Sequence, residues 1–158
     1  MGCGPGQFAD LCVGAKHRYV GVDFSEVAIT HGRRVVPQAT FHLVDVVKDA
    51  SLLTKGDYDA VTFIEFLEHI DEDLMVLSFI PEGKRVVLTV PKFWCEGHVR
   101  VFKTSNSVAL RYEKLIDIES LDALELGDLS THLAGPYGPL VHRQRWKVYV
   151  LSGTMRDK

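Results

Sequence analysis

The chain has 158 residues, 46 % of them hydrophobic and 25 % charged, with a formal net charge of −3. That is the make-up of one ordinary domain, 1–158, long enough to bury a core; it excludes a disordered chain or a collagen-like repeat. The charge is not the basic footprint of a general nucleic-acid binder and argues against such a partner. No apolar run approaches the roughly 18–20 residues of a membrane span, so no membrane partner is expected. The opening Met1-Gly2-Cys3-Gly4 carries neither the basic nor the apolar segment of a secretion signal. Cys3, Cys12 and Cys95 make an odd count with no C-x-x-C pair. This argues against a disulfide scaffold or zinc ribbon and places the chain in a reducing cytoplasm.

Charge is uneven along the chain. Residues 1–83 hold 6 Lys/Arg against 13 Asp/Glu, net −7, and residues 84–158 hold 12 against 8, net +4. Such polarity can orient a charged substrate, or simply reflect two differently solvated faces.

In chain order, Gly2-Cys3-Gly4-Pro5-Gly6 comes first, and Gln7–Cys12 then reads as a helix with Phe8, Leu11 and Cys12 on one face and Gly14 as its C-cap. Tyr19–Asp23 is a strand. Ser25 is an N-cap for a helix over Val27–Val35, with Glu26 in its first turn. Strands Phe41–Asp45 and Asp59–Ile64 follow. Asp71 is positioned to cap a helix holding Leu74 and Leu77. Arg85–Val90 is another strand, and Thr104 or Ser105 caps a helix running to about Leu115. Residues 117–129 are ambiguous between strand and helix. Gly135-Pro136-Tyr137-Gly138-Pro139 is a turn-rich loop feeding a last strand, Trp146–Leu151. Strands alternating with helices imply an α/β fold with a mostly parallel sheet.

Glycines in the opening loop allow a sharp bend and close ligand approach, and free N–H groups at the following helix favour an anion. The dinucleotide fingerprint G-x-G-x-x-G fails at Gln7, which disfavours a nicotinamide-dependent oxidoreductase. Asp23 ends a strand 19 residues after Gly4, where doubly wound sheets use an acid to hold ribose hydroxyls. Asp45 ends the next strand. Either acid alone could be a solvated strand end.

As a set, these residues resemble the class I S-adenosylmethionine-dependent methyltransferases. Gly2-Cys3-Gly4-Pro5-Gly6 is similar to their first motif, Val20-Gly21-Val22-Asp23-Phe24-Ser25 to their second, and Asp59-Ala60-Val61 with Glu65-Phe66-Leu67-Glu68-His69-Ile70 to their fourth-strand motif. Thr89-Val90-Pro91-Lys92 and Gly97-His98-Val99-Arg100-Val101-Phe102 resemble a signature of the small-molecule, ubiquinone-pathway-like branch. The resemblance covers about residues 2–104. It implies a Rossmann-like doubly wound, mostly parallel sheet with an antiparallel C-terminal strand, S-adenosyl-L-methionine as cofactor and a small-molecule acceptor.

Residue by residue, the resemblance implies that Gly2, Gly4 and Gly6 pass under the methionine part of the cofactor. Asp23 holds the ribose, with Phe24 beside the adenine and Ser25 in the same motif. Asp45 bonds the adenine amino group with the Val46 backbone near the ring, and Glu65 lies near the sulfonium and ammonium end. A general base is needed only for a hydroxyl or protonated-amine acceptor, and His69 and His98 are the candidates. Lys92 and Arg100, with Lys103, stand where an anionic acceptor would enter, although solvated loop charges are the simpler explanation. No metal is expected. The alternative is that Glu65, Glu68, His69 and His98 hold Mg²⁺ or Mn²⁺, an arrangement that resembles small-RNA 2′-O-methyltransferases.

The family has a helix and a central first strand before the glycine loop, whereas here Met1 stands where that strand ends. The expectation is an N-terminally truncated chain. A neighbouring subunit or another segment filling the gap, or direct pairing of Tyr19–Asp23 with Asp59–Ile64, are the other readings. An open sheet centre favours contacts between copies of the chain. It also keeps a non-catalytic, cofactor-binding or regulatory remnant of the fold as an alternative function.

Overall fold

The computed structural model describes residues 1–126 and 146–157, so the turn-rich loop at 135–139 lies outside the described residues. In chain order the elements are α1 (Gln7–Gly14), β1 (Val20–Asp23), α2 (Glu26–Val35), β2 (Thr40–Leu43), α3 (Ser51–Thr54), β3 (Ala60–Ile64), α4 (Asp73–Ser78), β4 (Arg85–Pro91), α5 (Ser105–Tyr112), β5 (Ile116–Leu126) and β6 (Trp146–Met155). A 3₁₀ turn, Leu67–His69, follows β3.

The strands form two sheets, β1-β2 and β3-β4-β6-β5. β1 with β2 and β3 with β4 are parallel, while β6 runs antiparallel to both β4 and β5. This is the expected mostly parallel α/β arrangement with an antiparallel C-terminal strand. β1 and β3 do not pair with each other, which corrects the direct-pairing reading. Residues 1–3 run between them: the Cys3 N–H donates to the Val22 carbonyl at 3.0 Å, and the Met1 nitrogen to the Thr62 carbonyl at 2.7 Å. Backbone groups on both flanking strands thereby find partners, as buried polar groups must.

Two cores result. One gathers Cys3, Ala9, Ile29, Val36 and Phe41 between α1, α2 and the β1-β2 sheet. The other surrounds β3, β4 and β6 and includes Phe63, Leu77, Leu88, Val108, Tyr112 and Leu151. β3 buries only Val61 and Phe63 in this second cluster, with Ala60 and Ile64 exposed, and β4 buries Val86, Leu88 and Val90 while Val87 and Thr89 are half-buried, so the near-continuous apolar runs do not mark strands fully covered on both faces.

Several local expectations shift. The helix ending α1 uses Lys16, at φ 65°, for its left-handed residue, while Gly14 remains helical. Ser25 caps α2, its Oγ accepting from the Ala28 N–H at 3.3 Å. Asp71 does not cap α4; Glu72 occupies that position without a side-chain bond. Thr104 and Ser107 form a reciprocal capping box for α5, which ends at Tyr112 rather than Leu115. Residues 116–126 are a strand whose pairing shifts between Ile118 and Ser120. The bulge moves the apolar face from Ile116 and Ile118 to Leu121, so neither a period of two nor a helical period fits the sequence.

Candidate active site

The C-terminal ends of the parallel strands and the loops that follow them collect most of the singled-out residues, as expected for an open α/β sheet. At β1 the carboxylate of Asp23 spans two loops. Its Oδ2 accepts the Gly4 N–H at 2.9 Å and its Oδ1 the Ser25 N–H at 2.9 Å. The glycine bend and the start of α2 are therefore tied to one side chain. Each carboxylate oxygen has a further lone pair for another donor.

The three glycines of the bend serve different ends. All have positive φ: 61° at Gly2, 52° at Gly4 and 100° at Gly6. A Cβ on Gly2 would overlap the Phe66 ring, and one on Gly6 would come within 3.3 Å of Gly32 Cα in α2. Gly4 instead faces open space, with only Gln7 Oε1 at 4.0 Å. Gly2 and Gly6 thus allow close packing, and Gly4 presents backbone to the outside.

Phe24 is 74 % exposed beside this bend, an aromatic face with no cover. Asp45 follows β2 in a turn; its Oδ2 pairs with Lys48 at 2.8 Å and its Oδ1 accepts the Val47 N–H at 3.2 Å. The Lys48 ammonium holds its carboxyl below the usual range. Val46 is buried in the larger core.

Glu65 directly follows β3 at φ 47°, a conformation uncommon outside glycine and concentrated at functional sites. It is held there by Thr89 of β4: the Glu65 N–H donates to Thr89 Oγ1 at 2.9 Å, and that hydroxyl donates to Glu65 Oε1 at 2.8 Å. Glu68, one turn on, is fully buried, and its carboxyl interacts with its own backbone N–H and with Glu65. Burial, with the Glu65 charge adding to it, pushes its carboxyl up to about 8.

His69 and His98 come together, ring centroids 4.8 Å apart at 79°. His69 Nδ1 lies 3.0 Å from the Gly97 carbonyl. A carbonyl can only accept, so Nδ1 carries the proton and Nε2 keeps its lone pair. His98 Nδ1 is buried without a partner.

Lys92 is exposed after β4. Arg100 is not available to an acceptor as expected. Its guanidinium donates to the carbonyls of Leu67, Ile70 (2.6 Å) and Asp71 (3.2 Å) and lies 3.3 Å from the buried Asp73 carboxylate. Asp73 also takes a bidentate pair from Arg111 at 2.9 and 2.7 Å and a bond from the Tyr112 hydroxyl at 3.1 Å. This network fixes the loop bearing His98 to α4 and α5. The sequence points to Glu68 as a candidate ligand but not to its burial, and it gives no sign of Asp73; an Asp in a helix's first turn and a Glu beside a His carry no mark of burial.

Residues 1–80 match the family described as a methyltransferase domain. The chain belongs to that family. No curated protein matches it in sequence. Among solved structures, this methyltransferase domain resembles the PH0226 protein of Pyrococcus horikoshii, at TM-score 0.68 and 16 % identity, over 98 % of this chain and 79 % of that one. It also resembles a SAM-dependent methyltransferase of Archaeoglobus fulgidus, at TM-score 0.61 and 18 % identity, over 96 % and 83 %. A third is the N-methyltransferase NodS of Bradyrhizobium japonicum in complex with S-adenosyl-L-homocysteine, at TM-score 0.67 and 12 % identity, over 99 % and 76 %. At these identities the likeness is one of fold: the Rossmann-like methyltransferase fold spans nearly the whole chain. Among the described residues, no helix is long and apolar enough to cross a membrane.

Proposed function

We propose that this methyltransferase domain, as one unit over 1–158, uses S-adenosyl-L-methionine to methylate a small-molecule acceptor in the cytoplasm by in-line transfer. The observation that carries the reading is the single carboxylate, Asp23, bonded at once to the Gly4 amide and to the start of α2. The residues fit the cofactor: Gly4 opens onto free space, Phe24 offers an uncovered ring, and Asp23 retains acceptor capacity. In this reading Asp23 accepts from the ribose hydroxyls, Phe24 lies against the adenine, and Asp45 with the Val46 backbone receives the adenine edge. Glu65 faces the cationic end, where a carboxylate suits positive charge.

The bound cofactor supplies a methyl group already activated on sulfur. The chain's part is to orient the acceptor and exclude water, which can supply roughly 7–11 kcal/mol of the barrier at best. For a hydroxyl or ammonium acceptor, His69 Nε2 is the proton acceptor, since the Gly97 carbonyl fixes its tautomer. Lys92 is the exposed cation that would meet an anionic acceptor group. Arg100 serves the loop and not the acceptor.

Calorimetry tests this. Heat on adding S-adenosylhomocysteine and none on adding NAD supports the reading. Heat without methyl transfer to any acceptor of a broad panel supports a binding remnant, and no heat with either overturns the cofactor assignment.

A further inference from the structure

Glu65 stands where the chain leaves β3, the first residue past the pairing of Ile64 with Thr89. Its φ of 47° is left-handed, and in a residue other than glycine that conformation persists only where the surroundings over-determine it. A single hydroxyl does so here. Thr89 Oγ1 accepts the Glu65 N–H at 2.9 Å and donates its own proton to Glu65 Oε1 at 2.8 Å. The first bond alone would satisfy the strained backbone. The second commits the one proton of the hydroxyl to orienting a side chain. Thr89 suits that task, because it lies on β4, between β3 and β6, and a β-branched side chain is stiff at χ1.

The carboxylate so held borders the glycine bend. Phe66, the next residue, lies so close to Gly2 that a Cβ there would overlap its ring. Thr89 occupies one lone pair of one oxygen, so Glu65 keeps capacity for a further, charged donor.

We propose that Thr89 is the positioning residue that aims the Glu65 carboxylate at the ammonium of the cofactor's amino-acid end. The inference rests on the S-adenosyl-L-methionine reading above. It assigns to a strand hydroxyl the discrimination between ligands that carry an ammonium and ligands that lack one. Thr89 acts through Glu65: a carboxylate already oriented by a strand meets less ordering cost when the ligand binds.

Calorimetry with two ligands tests this. S-adenosylhomocysteine has the amino-acid end, and methylthioadenosine lacks it. Neither carries a sulfonium charge, so the ratio of their affinities reads the amino-acid end alone. Thr89→Val should lower the affinity for S-adenosylhomocysteine about tenfold and leave that for methylthioadenosine unchanged. Thr89→Ser keeps the hydroxyl and should restore the wild-type ratio. Glu65→Gln should lower the ratio by itself, and adding Thr89→Val to it should lower it no further, as expected of two residues acting as one unit. Urea unfolding shows that each protein is folded, and Thr89→Ala serves where Thr89→Val is not. The proposal is overturned if a folded variant without the hydroxyl keeps the wild-type ratio, or if the effects of Thr89→Val and Glu65→Gln add. It is equally overturned if both ligands weaken alike, the mark of a structural brace only. Wild type that binds both ligands equally well overturns it too and leaves the nucleoside cradle standing. Wild type that binds neither overturns the cofactor reading itself, and the role of Thr89 with it.

Discussion

Asp23→Asn is the substitution that most sharply separates a loop brace from a cofactor ligand. Both oxygens of Asp23 accept backbone N–H groups at 2.9 Å, from Gly4 and from Ser25. Asparagine keeps one oxygen and turns an NH₂ toward the other N–H, so one bond is lost and two donors face each other. A hydrogen bond to a charged acceptor contributes about 1.5–3 kcal/mol. Asp23 is only half-buried, so the expected destabilisation is about 2 kcal/mol in urea unfolding. If the carboxylate also holds the ribose, S-adenosylhomocysteine should bind roughly tenfold to a hundredfold more weakly, since each factor of ten is about 1.4 kcal/mol. Loss of stability with unchanged ligand affinity would make Asp23 a brace only. Unchanged stability would contradict the geometry itself.

Gly2→Ala places a Cβ into the Phe66 ring at a left-handed backbone position; it should cost at least about 2 kcal/mol by urea unfolding. Asp73→Ala strands Arg100, Arg111 and the Tyr112 hydroxyl; a loss of about 3–5 kcal/mol is expected in the same assay, with a lowered Tm. Burial, and then the charge of Asp23, pushes the Cys3 thiol up to about 11. The thiolate is the nucleophile, so at pH 8 iodoacetamide should modify exposed Cys95 well before Cys3 by mass spectrometry, and denaturant should remove the difference.

Apart from the four-residue α3, which no signal announced, the strand-and-helix alternation of residues 7–91 was legible because its elements carry their own signals. Ser25 marks a helix start, and the apolar runs of β3 and β4 mark strands that place alternate residues in the larger core. The bulge after Ile118 erased that signal in β5 by switching the apolar face in mid-strand. Gly4 and Asp23 could be paired from spacing, because helix α1, a turn and strand β1 fix where nineteen residues lead. Arg100 was misread because a guanidinium that ends in backbone carbonyls looks, in sequence, like one that ends in solvent. The burial of Glu68 was not legible either, because the loop after β4 that joins its backbone, through the Val99 amide to the Glu68 carbonyl at 2.8 Å, lies far away in sequence.

The central claim is that the glycine bend and Asp23 make one cradle for a sulfonium nucleoside. Titrating ¹⁵N-labelled protein with S-adenosylhomocysteine and following the Gly4 and Ser25 amide resonances tests it most directly. Both should move together and saturate at one equivalent. If saturating ligand leaves both in place, the cradle lies elsewhere and the account fails.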